Sequence, residues 1–286
     1  MATPLVDLVI LTDTSPTMKT DARAVSEAAT AALAAAQGQG PVDIRLVWLG
    51  IEGRWRQTAF DQTLRTCLTQ GCRVDPGALR SRQRGELPEG GAQEDAARAI
   101  EDATTHLDWR PQAQRHLLYL GDEALDGGGD QPDAADRAAA DRAIQAAQTA
   151  GVRVHTHLGR SKSRHRDALA QEYARVATAT GGLAFAASPT VPTDFVAVLV
   201  AILGHRQITL STKSHKETAM ATKDNPTPAA AAAPAAPAAT PPKSYLPTTQ
   251  TGLQDYAYWW DYARKQAKQA KQGKGVKDFR RGRIWT

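Results

Sequence analysis

The chain lacks several things that would have settled its class at once. Nowhere in its 286 residues is there a run of the roughly 20 apolar side chains that crossing a bilayer takes. The opening Met1-Ala2-Thr3-Pro4 has no basic n-region, and the apolar stretch 5–11 is short and holds Asp7. It therefore reads as a strand and not as a leader, and a cytoplasmic address is the expectation. Two cysteines, Cys67 and Cys72, make neither a disulfide framework nor a complete zinc site, and read as incidental thiols. There is no Gly-x-x-x-x-Gly-Lys-Ser/Thr phosphate loop, no Gly-x-Ser-x-Gly nucleophile elbow and no internal repeat.

What is present divides into three parts. Residues 1–206 carry 22 Lys/Arg against 25 Asp/Glu, whereas 243–286 carry ten against three, so the net charge of +5 belongs to the tail. Within 1–206, short apolar runs alternate with segments of helical spacing. Strands are expected at 5–11, 42–49, 55–60 (as an edge), 115–120, 152–158 and 183–186. Helices are expected at 22–36, 94–107, 134–150, 168–180 and 195–203, with 61–91 as loop plus one short helix. Gly151 is placed to cap 134–150 in the left-handed conformation. This alternation predicts a doubly wound, mainly parallel α/β sheet with helices on both faces. In such sheets ligands sit beyond the carboxyl ends of the strands where the order reverses, which points to Asp13 and Asp122.

Residues 207–252 are a polar, then Ala/Pro-rich linker, expected to be disordered, since a stretch such as 226–242 cannot bury a core. Residues 253–286 are expected to hold a short basic helix. Tyr256, Trp259 and Trp260 fall on one face, Arg264 and Lys268 on the other, and a basic end follows. Aromatics at that density are interface residues. They suit a protein groove, single-stranded nucleic acid or an anionic membrane.

The string Asp13-Thr14-Ser15-Pro16-Thr17 delivers three oxygen donors from a strand end on one tight turn, and a second apolar strand ends at Asp122. Oxygens of this kind suit a hard cation, Mg²⁺ or Mn²⁺. Asp13 and Ser15 can also simply cap the helix that follows. A haloacid-dehalogenase-type phosphatase needs an Asp where Ser15 stands. His155 and His157 share a strand face but have no evident third ligand, and Gly127-Gly128-Gly129 has no basic residue next to it in sequence.

The first 206 residues resemble a von Willebrand factor A domain. Asp13, Ser15 and Thr17 match the Asp-x-Ser-x-Ser of its metal-ion-dependent adhesion site, Asp122 matches the later Asp, and Gly90-Gly91 matches the loop between. The family's loop Thr is missing, and Ala92-Gln93-Glu94-Asp95 follows, so that Gln93, Asp95 or water would fill its place. The resemblance implies a non-enzymatic interaction module without a small-molecule substrate. Asp13, Ser15 and Thr17 would hold Mg²⁺ directly and Asp122 through water, and a partner protein's Asp or Glu would complete the ion. It also implies company of the kind family members keep, in ATPase-linked or multiprotein assemblies. A chain whose basic tail binds nucleic acid, with the domain as scaffold, is the competing expectation.

Overall fold

The computed structural model describes residues 3–87, 91–188 and 190–204. Five parallel strands form one sheet in the order β2-β1-β3-β4-β5: β1 (Leu5–Thr12), β2 (Asp43–Gly50), β3 (Gln114–Gly121), β4 (Val152–Leu158) and β5 (Ala184–Ala186). The connecting helices are α1 (Lys19–Gly38), α2 (Leu64–Thr69), α3 (Ala96–His106), α4 (Ala134–Ala150), α5 (Arg166–Ala179) and α6 (Phe195–Gly204).

Both faces of the sheet are covered, which is why its central strands read as unbroken apolar runs instead of alternating ones. Leu8, Ile10, Leu118 and Leu120 pack with α1 and α6, whose contributions include Ala22, Val25, Ala29 and Leu199. Val9, Leu11, Leu117 and Tyr119 pack with α3, α4 and α5 through Ile100, Ala140, Ala143 and Val176. The Ala-rich α1 buries Ala22, Val25, Ala29, Ala32 and Ala36, a three-and-four spacing that lays one narrow stripe on the sheet.

The helices and strands lie close to where the sequence placed them. α4 has a capping box between Asp133 and Asp136 and ends at Gly151 with φ 64°. Two differences have local causes. α1 starts at Lys19 because Pro16–Met18 form a 3-10 turn that leads into it. Residues 55–60 are a turn and not an edge strand. Gln57 is left-handed, the Thr58 N–H donates to the Trp55 carbonyl at 3.3 Å and the Trp55 N–H donates to Phe60 at 2.7 Å. Phe60 is held there by an edge-on contact with Trp48, ring centroids 5.2 Å apart, and not by pairing with β2. The linker and the tail, including Tyr256, Trp259, Trp260, Arg264 and Lys268, lie outside the described residues.

Candidate metal centre

The chain runs from β1 to β2 on one side and then returns to β3 on the other, so the order reverses between β1 and β3. The residues just past those two carboxyl ends are Asp13 and Asp122. The Asp13 N–H donates to the Leu120 carbonyl at 2.8 Å, which fixes Asp13 beside β3. Asp13 is 0% exposed and Asp122 5%.

One carboxylate oxygen of Asp13, Oδ1, accepts the Ser15 N–H at 2.5 Å. The other, Oδ2, is buried without a hydrogen-bond partner. Thr17 donates its hydroxyl hydrogen to Asp122 Oδ1 at 3.1 Å, which leaves the Ser15 hydroxyl to donate to Thr17 Oγ1 at 2.8 Å. Asp13, Ser15, Thr17 and Asp122 thus meet as one oxygen-lined cluster. The helix-capping alternative does not describe it. Ser15 precedes the 3-10 turn with no side-chain capping bond, and α1, which begins at Lys19, has Met18 as its cap residue, also without one.

Burial drives the chemistry here. It pushes the Asp13 carboxyl well above its usual range, with the Glu94 and Asp122 charges adding to it and the Ser15 hydrogen bond opposing it. Asp122 is raised by burial, with Glu123 and Asp21 adding to it and its bond from Thr17 opposing. Asp21, in the first turn of α1, is raised by burial and held back by Arg160. Glu94 is raised to about 7 by burial and by Glu123, with Asp122 adding to it and the Gln93 side-chain hydrogen bond opposing. A β-carbon on Gly128 would run into both Glu94 Oε2 and Glu123 Oε2, so these two carboxylates flank the same point of the loop. An ionised carboxylate stripped of water needs hydrogen bonds or an opposite charge. Asp13 has one such bond and, around it, further negative charge.

The oxygens present fit a hard divalent cation in this respect: Asp13 Oδ2 is orphaned, and two hydroxyls and a second carboxylate stand with it. Among the described residues no three His, Cys, Asp or Glu side chains converge as a metal cluster, so hydroxyls would have to share the coordination.

Of the loop candidates, Gln93 sits beside Thr14, whose N–H donates to its carbonyl at 3.3 Å, while its side chain is engaged with Glu94. Asp95 is taken elsewhere. It accepts from the Arg82 backbone at 2.8 Å, from its guanidinium at 2.9 and 3.1 Å, and pairs with Arg98. Arg82 and Arg98 also hold Asp126. Gly90 lies outside the described residues, and Gly91 packs on the Gly127 carbonyl. The Gly127–Gly129 turn does have a basic neighbour in space, since Arg82 stands over Gly127. That guanidinium is already committed to two carboxylates, and Glu94 and Glu123 line the turn, so it offers no phosphate cradle.

His155 and His157 do not form a metal pair. The Leu183 N–H donates to His155 Nδ1 at 3.0 Å, which puts the proton on Nε2, facing His116 Nδ1 at 2.9 Å. His157 meets the Thr193 hydroxyl at 3.1 Å, and burial with the nearby Arg166 lowers its pKa to about 4.

Sequence reasoning missed Asp21, Glu94 and Glu123. Glu123 adjoins Asp122 and Asp21 falls in the first turn after the motif, but only the fold brings the Glu94 charge near enough to act on Asp13.

No protein-family model and no curated protein matches the chain. Among solved structures, a conserved hypothetical protein, BatB from Bacteroides thetaiotaomicron, is similar at 14% identity. The likeness covers 70% of this chain and 96% of that one, with TM-score 0.35. Proximal thread matrix protein 1 from the mussel byssus is similar at 11%, over 71% of this chain and 47% of its own, with TM-score 0.35. The N-terminal domain of TFIIH p34 is similar at 12%, over 69% and 97%, with TM-score 0.37. The chain thus spans about half of the mussel protein. Likeness at this level leaves the site to be read from its own residues.

Proposed function

We propose that this chain is a non-enzymatic protein-interaction module of the von Willebrand factor A kind that works through a divalent cation, Mg²⁺ or Mn²⁺. The observation that carries the reading is the buried, unpartnered Oδ2 of Asp13 at the reversal of strand order, beside Ser15, Thr17 and Asp122. Asp13, Ser15 and Thr17 would hold the ion and Asp122 would support it. A bound ion supplies a Lewis-acidic position that an Asp or Glu of a partner protein can occupy. The Ser15 and Thr17 hydroxyls bond to each other and to Asp122 and to no histidine or lysine, so neither is set up as an activated nucleophile, which favours binding over catalysis. A cytoplasmic setting is part of the same proposal; among the described residues no helix is long and apolar enough to cross a membrane.

Calorimetric titration of the full chain with Mg²⁺ and Mn²⁺ tests the reading. Wild type should take up one ion, and Asp13→Ala should take up none while melting as a folded protein. Wild type that gives no metal-binding heat removes the ion from the account.

A further inference from the structure

The loop between β4 and α5 reads Gly159-Arg160-Ser161-Lys162-Ser163-Arg164-His165-Arg166, with four basic residues and no acidic one, inside a domain whose formal balance is acidic. It opens at the cation site. The Gly159 N–H donates to the Gly121 carbonyl at 2.7 Å, one residue before Asp122, and a β-carbon on Gly159 would lie 3.3 Å from Asp122 Cβ and 3.1 Å from Asp21 Oδ2.

The loop is pinned by its own polar groups. Ser161 Oγ accepts the Ser163 N–H at 3.2 Å, Ser163 Oγ accepts the His165 N–H at 2.9 Å, and Ser163 Oγ donates to the Asp130 carbonyl at 2.6 Å. Arg166 closes it, donating to the Gly159 carbonyl at 2.7 Å and to the Ala187 carbonyl at 2.6 Å. Arg166 is therefore structural. Arg160, Lys162 and Arg164 are exposed, and no salt bridge among the described residues takes them up. The carboxyl end of the sheet thus has two unlike rims: Glu94 and Glu123 on the α3 side, and three cations on a held loop on the α5 side.

We infer that this loop is the second half of the partner surface, and that the partner's recognition element is an acidic stretch of polypeptide. The inference rests on the proposed metal-dependent reading. One carboxylate of the stretch would complete the cation, and its acidic neighbours would lie along Arg160, Lys162 and Arg164. Complementary charge of this kind selects the partner and speeds encounter. A loop already held in shape loses little freedom on binding. A nucleic acid fits less well, because Glu94 and Glu123 repel a backbone that carries charge at every residue, and the loop offers no Phe, Tyr or Trp for a base to stack on.

The test uses the full chain in saturating Mg²⁺ and three labelled probes: a short peptide with a run of Asp and Glu, the same peptide with all but one acid changed to Ser, and a single-stranded oligonucleotide. Fluorescence anisotropy should show the acidic run binding about tenfold or more tighter than the single-acid peptide. The double variant Lys162→Glu, Arg164→Glu should erase that margin, while calorimetry finds its Mg²⁺ affinity within about twofold of wild type, since neither side chain contacts the donor oxygens. The basic tail is the same in both proteins, so a margin that survives in the double variant belongs to the tail and overturns the inference. Equal binding of the two peptides, or displacement of the acidic run by the oligonucleotide at lower concentration than by the peptide itself, overturns it as well. The metal reading fails separately. If wild type takes up no Mg²⁺, a loop-dependent margin that persists in EDTA keeps the loop as an acidic-peptide surface, and no margin removes it.

Discussion

Two aspartates at opposite ends of β1 sit six positions apart and are both almost wholly buried, yet they are treated in opposite ways. Asp7, at the amino end of the sheet and 1% exposed, is saturated. Its Oδ1 accepts from Arg45 at 3.1 Å and Arg110 at 2.6 Å, and its Oδ2 from Arg45 at 2.6 Å and the Arg110 N–H at 2.8 Å. Asp13, just past the carboxyl end, has one turn hydrogen bond, one bare oxygen and carboxylates for neighbours. The first holds β1, β2 and the segment before β3 together. The second is left for something the chain does not itself supply. Burial alone therefore does not mark a functional acid; burial without compensation does.

The largest effect that would sharpen this contrast is at Asp7. Asp7→Ala strands two guanidinium groups against a closed end of the sheet, and breaking one side of a buried pair costs about 3–5 kcal/mol. In a domain of this size that should lower the Tm by on the order of 10 °C. Mg²⁺ affinity per folded molecule should not change. A Tm within a degree or two of wild type would show that the amino-end cluster is not structural.

At the other end the sign should invert. Asp13→Asn keeps the turn bond and removes an uncompensated charge, so in EDTA its stability should fall no more than about 1 kcal/mol below wild type and can exceed it. The same logic sets a pH dependence. Asp13, Asp122 and Glu94 have folded-state pKa values above their usual ones, Glu94 at about 7. The folded state then holds their protons more tightly than the unfolded state does. The stability they contribute is full below the unfolded carboxyl range near 4 and is lost as pH rises through their raised folded-state values, for Glu94 through about 7. Urea denaturation in EDTA should show this decline, Glu94→Gln should flatten its upper part, and Mg²⁺ should flatten it in wild type. An unchanged slope in Glu94→Gln would separate that residue from the cluster.

The smallest effect on stability is expected at Thr17. It is exposed, so Thr17→Val should change stability by no more than about 0.5 kcal/mol. It loses an oxygen from the cluster and the hydrogen bond to Asp122, so Mg²⁺ should bind about tenfold more weakly. Unaltered affinity would remove Thr17 from the donor set.

The contrast also explains what could be read in the sequence. The apolar runs of β1 and β3 announce strands buried on two faces. The Asp133 cap and the Gly151 terminus bracket α4 by local stereochemistry, and Asp13 and Asp122 follow because strand ends are where such runs stop. These are short-range signals. The Arg45–Asp7–Arg110 cluster and the approach of Glu94 to Asp13 join residues far apart in the chain, and nothing in local pattern encodes them. Asp95 shows the complementary failure. It stood next to Gln93 as a plausible oxygen donor, but Arg82 and Arg98 reach it first. The apolar residues of 55–60 suggested an edge strand, whereas Gln57 turns the chain before a ladder can form.

Gly159 carries a consequence for how mutations at this end of the molecule would sort. A methyl group there would press on Met18 Sδ at 2.9 Å and Asp21 Oδ2 at 3.1 Å, both at side-chain ends that can yield, beside Asp122 Cβ at 3.3 Å. Its φ is not left-handed, so the backbone itself tolerates alanine. In a mutational scan selected for folding alone, alanine at 159 should survive. In one selected for cation-dependent binding, it should be depleted, because the side chains it presses on include Asp122 of the oxygen cluster and its neighbour Asp21. The gap between those two fitness values would report how much of the glycine's presence serves the ligand and how much serves the fold.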